Sequence, residues 1–388
     1  FRWGIYAENL YGAKCTRVKL NLGHIIHKIH VHPNAKIEQI NKMVMSKIAQ
    51  LAHLVSHCLS IMILKPIEDI VMPQNPIQFQ KGMSLNRFID QYGTEEKCHQ
   101  ALEKARWGQG YTCSKCGAKE HTIFYRKGKK IWQCQHHKHQ TTVRSGTLFH
   151  ASRLPLQKWF MAMYFMTQSK TNVSALTLMR LIGLSYPTAW LTKHKLMQTM
   201  LERESSRQLS GRVVADDAYI GGVTTGGKRG RGAKTSGLFM AAVEVDDNSA
   251  IRYARFDCLN NLSGDSIANW AEKALSSDCH LLTDGYPSLS SVRPIIRKHE
   301  AVVVSPLKSS ELNCFRWVNT VIGNVKTSMK GAYHGFKVSK YIRSYLAEAQ
   351  YRFNRRFNLE PLVARLLYAC AQSAPRNLKW IRAAERSC

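Results

Sequence analysis

Apolar residues recur at helical spacing from residue 154 onward: Leu154, Leu156, Trp159, Phe160, Met163 and Tyr164 fall on one stripe. A second run, Ser174–Ile182, stops at Gly183, and a third starts near Ser185 and extends to about Met200. Ser185 and Thr188 are candidate caps, because a hydroxyl can accept from the free N–H groups of a first helical turn. Two helices joined by a short Gly-containing turn have the form of a helix-turn-helix. Helical hairpins that never touch DNA share that form.

At Val213 the period changes to that of strands. Val213–Ile220 is strand-like and is broken by Gly221–Gly222. Leu238–Val245 and Ile251–Phe256 follow as two strands, with Asp246–Asp247–Asn248 as their turn. Then come a helix at Ser263–Leu275, a strand at His280–Thr283, a helix at Pro287–Lys298 and a strand at Ala301–Val304. Long helices are expected at about 312–330, 338–357 and 360–371. Three strands in meander, then helix, strand, helix, strand, helix, is the RNase H-like order. It predicts an α+β (mixed α/β) fold with a five-stranded mixed sheet and flanking helices.

Ahead of these elements, Met83–Trp107 reads as a helix-forming lead-in, and residues 108–150 as a small Cys/His module. Residues 1–82 read differently: His24, His27, His30 and His32 have no matched Cys or carboxylate pattern, and the chain opens on Phe1. They are expected to be an upstream or disordered extension, with Met83 as a plausible start. The expected divisions are thus 1–82; 83–150, lead-in plus zinc ribbon; 151–205, helix-turn-helix; 206–372, core; and 373–388, tail.

Composition narrows the partners. Lys and Arg number 56 against 26 Asp and Glu, a formal charge of +30. Such a chain repels itself unless a polyanion screens it, so nucleic acid is the first candidate and an anionic membrane the second. With 44% hydrophobic residues it can build sizeable cores, which excludes global disorder. The longest apolar region, near Ile61–Leu64, is too short to span a bilayer, and no signal-peptide pattern appears. The expected location is the cytoplasm, with the nucleoid DNA. An odd count of 11 Cys, mostly scattered, implies reduced thiols and one metal site instead of a disulfide framework.

That metal site is legible. Cys113-Ser-Lys-Cys116 is followed, after 17 residues, by Cys134-Gln-His-His137. Two paired knuckles supply four ligands to one structural Zn²⁺. Gly117 follows the first pair, and the β-prone stretch His121–Trp132 suits the hairpin of a ribbon. His136 and His139 neighbour His137, but His137 copies the two-residue gap of the first knuckle.

A second site is suggested by carboxylates. Asp216 sits within an apolar strand, where a charge is costly unless it meets a cation or partner. Asp284 ends the fourth strand, next to the first in an RNase H-like sheet, so both can reach one point. Asp217 alternates to the opposite face. Such a pair suits Mg²⁺ or Mn²⁺. A third ligand is expected from the helix after the fifth strand, which holds no Asp or Glu. Glu311 lies just before that helix; Asn319 and Lys326 lie on one of its faces. The basic loop holding Lys228, Arg229, Arg231 and Lys234, together with Arg352, Arg355 and Arg356, is expected to grip DNA phosphates.

In order, these pieces resemble bacterial insertion-sequence transposases that couple an N-terminal zinc ribbon to an RNase H-like DDE-type core. The likeness runs from about Met83 to Leu367. It is carried by Arg106-Trp107 before the first knuckle, Ser145–Phe149, Leu184–Trp190, Asp216–Gly222, Thr283-Asp284-Gly285, Trp317-Val318-Asn319, Lys326, Gly331–His334 and Tyr351–Arg356. The resemblance implies Asp216 and Asp284 as the catalytic pair, Asn319 in the variable third position and Lys326 beside it. It also implies strand cleavage and transfer on double-stranded DNA, at the element's terminal inverted repeats and a target, by a homo-oligomer. Rival readings are a non-enzymatic zinc-ribbon regulator, a nuclease or resolvase that cleaves without joining, and an inactive relic. Residues 1–82 have no counterpart in the resemblance.

Overall fold

The computed structural model describes residues 80–221, 237–246, 250–302, 313–333 and 340–383. All lie in one of the chain's two units, residues 75–388. Of the extension read as 1–82, residues 1–79 lie outside the described residues. Met83 itself is buried; its N–H donates to Gln168 Oε1 (2.9 Å) and its carbonyl accepts from the Tyr164 hydroxyl (3.2 Å).

The lead-in forms α1 (Leu85–Tyr92) and α2 (Glu95–Arg106), capped by Ser84 and Thr94. A small antiparallel sheet follows: β1 (His121–Arg126), β2 (Lys129–Cys134) and β3 (Gln140–Thr141). Lys127 and Gly128 close its hairpin at φ 50° and 72°, the paired left-handed turn whose twist matches the flanking strands.

Helices α3 (Leu156–Gln168), α4 (Ala175–Ile182) and α5 (Tyr186–Ser205) come next. Ser174 Oγ accepts from Thr177 N–H at the start of α4, and Gly183, at φ 68°, ends it in the left-handed conformation that favours glycine. Ser185 is the N-cap of α5, but its hydroxyl bonds Thr188 Oγ1 (2.8 Å) instead of a backbone N–H.

The main sheet has five strands: β4 (Arg212–Ile220), β5 (Gly237–Val245), β6 (Ile251–Cys258), β7 (His280–Asp284) and β8 (Lys298–Val302). Their order is β6-β5-β4-β7-β8, with β4–β5 and β5–β6 antiparallel and β4–β7 and β7–β8 parallel. The remaining helices are α6 (Gly264–Ala274), α7 (Arg316–Ala332), α8 (Ile342–Phe353), α9 (Leu362–Gln372) and α10 (Leu378–Ala383).

Strand alternation divides the core. Val213 and Ala215 point into a cluster with Ile267, Trp270 and Ala271 of α6. Val214, Ala218 and Ile220 point into a larger cluster that holds the buried faces of α7 and α8 and extends through α1, the ribbon, α3 to α5 and α9. The structure corrects the helix expected at Pro287–Lys298. Only a 3₁₀ segment, Pro287–Val292, forms, and Lys298 already begins β8. Pro294 lacks the N–H that a continuing helix needs. No helix among the described residues is long and apolar enough to cross a membrane.

Candidate metal centres and nucleic-acid interface

The two knuckles of the ribbon are built alike. Gly117 N–H donates to the Cys113 carbonyl (2.9 Å), and Lys138 N–H to the Cys134 carbonyl (3.0 Å). Gly117 and Lys138 take φ of 74° and 58°, folding each pair back on itself. Cys116 Sγ lies 3.7 Å from Cys134 Sγ and 3.7 Å from His137 Nδ1, and Cys113 Sγ lies 3.9 Å from His137 Nε2. Ligands about 2.3 Å from a tetrahedral zinc stand about 3.8 Å apart, so this donor set has the spacing the ion needs. The cysteines are not in disulfides. Burial alone would raise the Cys113 thiol, but hydrogen bonds from the Lys115 and Cys116 backbone and from its thiol neighbours outweigh it and draw the group down to about 7. Of the two neighbouring histidines, His136 faces Glu120 (3.3 Å) and His139 stacks on the His137 ring.

The acidic centre lies where the sheet opens. The β4–β7 ladder ends at Val214↔Leu282, two residues short of Asp216 and Asp284. Asp216, Asp217 and Asp284 converge there, with carboxylate oxygens all within 4.8 Å of one another. Asp217 corrects the sequence reading, which placed it on the opposite face. β4 is still paired with β5 there (Asp217↔Met240), but its β7 side is open, and the Asp217 carboxylate reaches the same gap as Asp216. No sequence signal marks where a ladder stops. Three carboxylates repel one another unless a cation joins them, and their hard oxygens suit Mg²⁺ or Mn²⁺.

Asn319 and Lys326 lie on α7, which packs on β4 and β5, the Asp216 side of the sheet. Val318, Val321, Ile322 and Val325 seat the helix in the core. The Asn319 Nδ2 is buried and has no hydrogen-bond partner, whereas Lys326, two turns on, is exposed. Glu311, the rival third ligand, and the basic loop bearing Lys228, Arg229, Arg231 and Lys234 lie outside the described residues.

The three arginines expected to meet DNA phosphates all make bonds inside the protein. Arg352 is buried and donates to the Ser169 and Thr171 carbonyls and to Asn172 Oδ1. Arg355 donates to Glu204 Oε1 (2.5 Å) and stacks on Tyr351, 3.6 Å from its ring centroid. Arg356 donates to the Ile251, Arg252 and Phe353 carbonyls. Burial withdraws Arg352 from a phosphate, whereas Arg355 and Arg356 are half-buried and spend only part of their N–H groups on these bonds. In the helical pair, α5 is buried from Ala189 onward apart from half-buried Trp190, Leu191 and Gln198 and its last residues, so Ser185, Tyr186 and Pro187 at its start form its exposed entry.

Two family comparisons fall on these features. Residues 93–140 match the transposase zinc-ribbon domain, and residues 208–354 match the ISXO2-like transposase domain. The chain thus carries, in order, the zinc-ribbon and transposase domains found in insertion-sequence transposases. One relative is the "Uncharacterized protein in transposable element ISH50" of Halobacterium salinarum, 27% identical over 154 residues. That match covers 39% of this chain and 50% of the relative, so the chain spans half the relative's length. The structure titled "Crystal structure of the Mos1 mariner paired end complex with Mn" aligns over 53% of this chain and 77% of that one, at 12% identity. Its TM-score of 0.18 is too low to bear on the fold.

Proposed function

We propose that the protein is an RNase H-like transposase that cuts DNA strands at the ends of an insertion sequence and joins them to a target. The observation that carries this reading is the convergence of Asp216, Asp217 and Asp284 in the opening between β4 and β7, within the matched transposase domain. Asp216 and Asp284 would hold the divalent ion, Mg²⁺ or Mn²⁺, with Asp217 as a further carboxylate and Asn319 as a neutral oxygen donor. When bound, such ions activate the attacking oxygen and stabilise the leaving one. The lone Nδ2 of Asn319 is a buried donor that would need an acceptor, such as an oxygen of bound DNA or of a neighbouring carboxylate, so it supports a polar partner at this point of the helix. Lys326, exposed on the same helix, would meet the DNA beside the scissile phosphate.

Cys113, Cys116, Cys134 and His137 would hold one structural Zn²⁺, with no open position for catalysis. The α4–Gly183–α5 pair would act as a helix-turn-helix, offering the first turn of α5 to the groove. The partner is double-stranded DNA, both the element's inverted repeats and the target, engaged by more than one copy of the chain in the cytoplasm. A non-enzymatic regulator would leave the three-carboxylate cluster without a role. The test is incubation with Mg²⁺ and DNA bearing the element's ends, scoring nicked and joined products. Binding without either product, in protein of full zinc content, would refute the enzyme and leave the regulator.

A further inference from the structure

A groove of about 500 Å³ runs between the C-terminal end of α5, the edge strand β6 and helices α8 and α9. Its charge is lopsided. Glu204, bonded to two of the lining residues, is already engaged: Oε2 accepts from Asn354 Nδ2 (2.7 Å) and Oε1 from Arg355 (2.5 Å). Among the described residues, Arg203, Arg207 and Arg365 line the same groove without any carboxylate partner. Arg207 sits over the face of Tyr253, its guanidinium carbon 4.1 Å from the ring centroid. Stacking of this kind fixes the plane of the guanidinium and leaves its N–H edge pointing outward. Tyr368 is 50% exposed and stands three residues from Arg365 on α9, hence on the same helix face.

We propose that this groove binds the phosphodiester backbone of duplex DNA, at a site separate from the acidic centre. Three unneutralised forks match the bidentate geometry of phosphate oxygens, and the tyrosine hydroxyls can donate to the same oxygens. The amide in the lining, Asn354, spends its N–H groups on Glu204 and the Ala254 carbonyl and its oxygen on Ala254 N–H, so the contact is to the backbone and not to sequence. The register gives the separation. Tyr253 pairs with Glu244, which pairs with Val213, so the groove lies two strands across and three residues along from Asp216. At ordinary strand spacings that is about 14 Å between backbones. DNA held here would therefore be a stretch away from the scissile phosphate, flanking or target duplex. That placement rests on the transposase reading; the binding itself does not.

The experiment uses the full chain and a duplex of unrelated sequence, with no added divalent ion, so that cleavage plays no part. Anisotropy titrations across a salt series compare the parent with an Arg203→Gln/Arg207→Gln/Arg365→Gln variant. Each phosphate contact contributes about 0.9 to the slope of log K against log salt, so the slope should fall by about 2 to 3. The single variant Arg365→Gln, on an exposed helix face, should lower it by about 1 and guards against misfolding of the triple variant. An unchanged slope in either variant, at parental zinc content and melting temperature, overturns the proposal. So does a fall confined to a double-stranded RNA of equal length. If the parent fails to cleave element ends yet the slope still falls, the catalytic reading is lost and the groove stands.

Discussion

The ammonium of Lys193 on α5 lies 2.5 Å from Glu348 Oε2 on α8, with both side chains almost wholly buried. The Tyr333 hydroxyl accepts from Lys193 (2.7 Å) and donates to the same carboxylate oxygen (3.1 Å), while Glu348 Oε1 accepts from Val173 N–H (3.0 Å). One ion pair thus fastens the long helix of the helical pair to α8 and to the end of α7, the helix that carries Asn319. Burial pulls the Lys193 pKa down, and the charge of Glu348 opposes that pull.

Glu348→Ala should therefore leave a buried ammonium without its counter-charge and cost about 3–5 kcal/mol. The paired replacement Lys193→Met/Glu348→Leu should cost less, because the ammonium is removed with its partner and only the Arg352 guanidinium, held by its own carbonyl and amide acceptors, loses the Glu348 charge. Urea midpoints of the three proteins measure the difference. Equal losses in the single and paired variants would show that the pair does not act as an electrostatic unit.

Zinc analysis of the purified chain should find about one ion per chain. Cys134→Ser should remove it and lower the melting temperature, since binding energy at a closed site is folding energy. His136→Ala should leave the zinc content unchanged, because that ring faces Glu120 and not the thiols. Loss of zinc in His136→Ala with retention in His137→Ala would reassign the fourth ligand.

Much of this architecture could be read from the sequence because periodicity and cap chemistry are local. The change of period at Val213, the Ser174 cap, the Gly183 stop and the paired Cys knuckles each act over a few residues. Apart from the helix stop at Pro294, which is local, the errors are non-local. Nothing within Pro287–Lys298 announces that the chain must already be extended at Lys298 to pair with His280. Asp217 obeys alternation by sequence, and only the end of the β4–β7 ladder lets it join Asp216. Arg352, Arg355 and Arg356 look like a basic helix face. Their partners, the Ser169 and Thr171 carbonyls, Glu204 and the Ile251 carbonyl, come from elements about 100 to 180 residues away.

If the carboxylates at the opening of the sheet form one centre, Asp216→Asn and Asp284→Asn should each abolish strand cleavage and weaken Mn²⁺ binding, followed by the paramagnetic resonance of the free ion. Asp217→Asn separates two geometries. A ligand would lower Mn²⁺ affinity at least tenfold, a loss of about 1.4 kcal/mol; a bystander would leave it unchanged. Asn319→Ala should cut cleavage severely while binding to duplex ends persists. Wild-type cleavage by Asp216→Asn would end the catalytic assignment.

His194 follows Lys193 on α5, is 2% exposed, and lies between Trp190 (4.0 Å between ring centroids) and an edge-on Tyr341 (4.8 Å). Burial, reinforced by the neighbouring Lys193 charge, lowers its pKa from 6.5 to about 3. The folded protein therefore holds a neutral ring across a range where the unfolded chain takes up a proton. Above pH 6.5 neither state binds that proton and the stability is present in full. As the pH falls below 6.5 the unfolded state gains, by about 1.4 kcal/mol per pH unit, until the folded ring titrates near 3. Between pH 7 and pH 5 this one group should remove about 2 kcal/mol. His194→Phe keeps an aromatic ring in the stack and abolishes the titration, so its unfolding free energy should fall about 2 kcal/mol less than the parent's over the same interval. Every other titrating group, the zinc ligands included, is common to both proteins and cancels in the comparison. Parallel pH profiles for parent and variant would mean that the ring takes up its proton in the folded state as readily as in the unfolded chain.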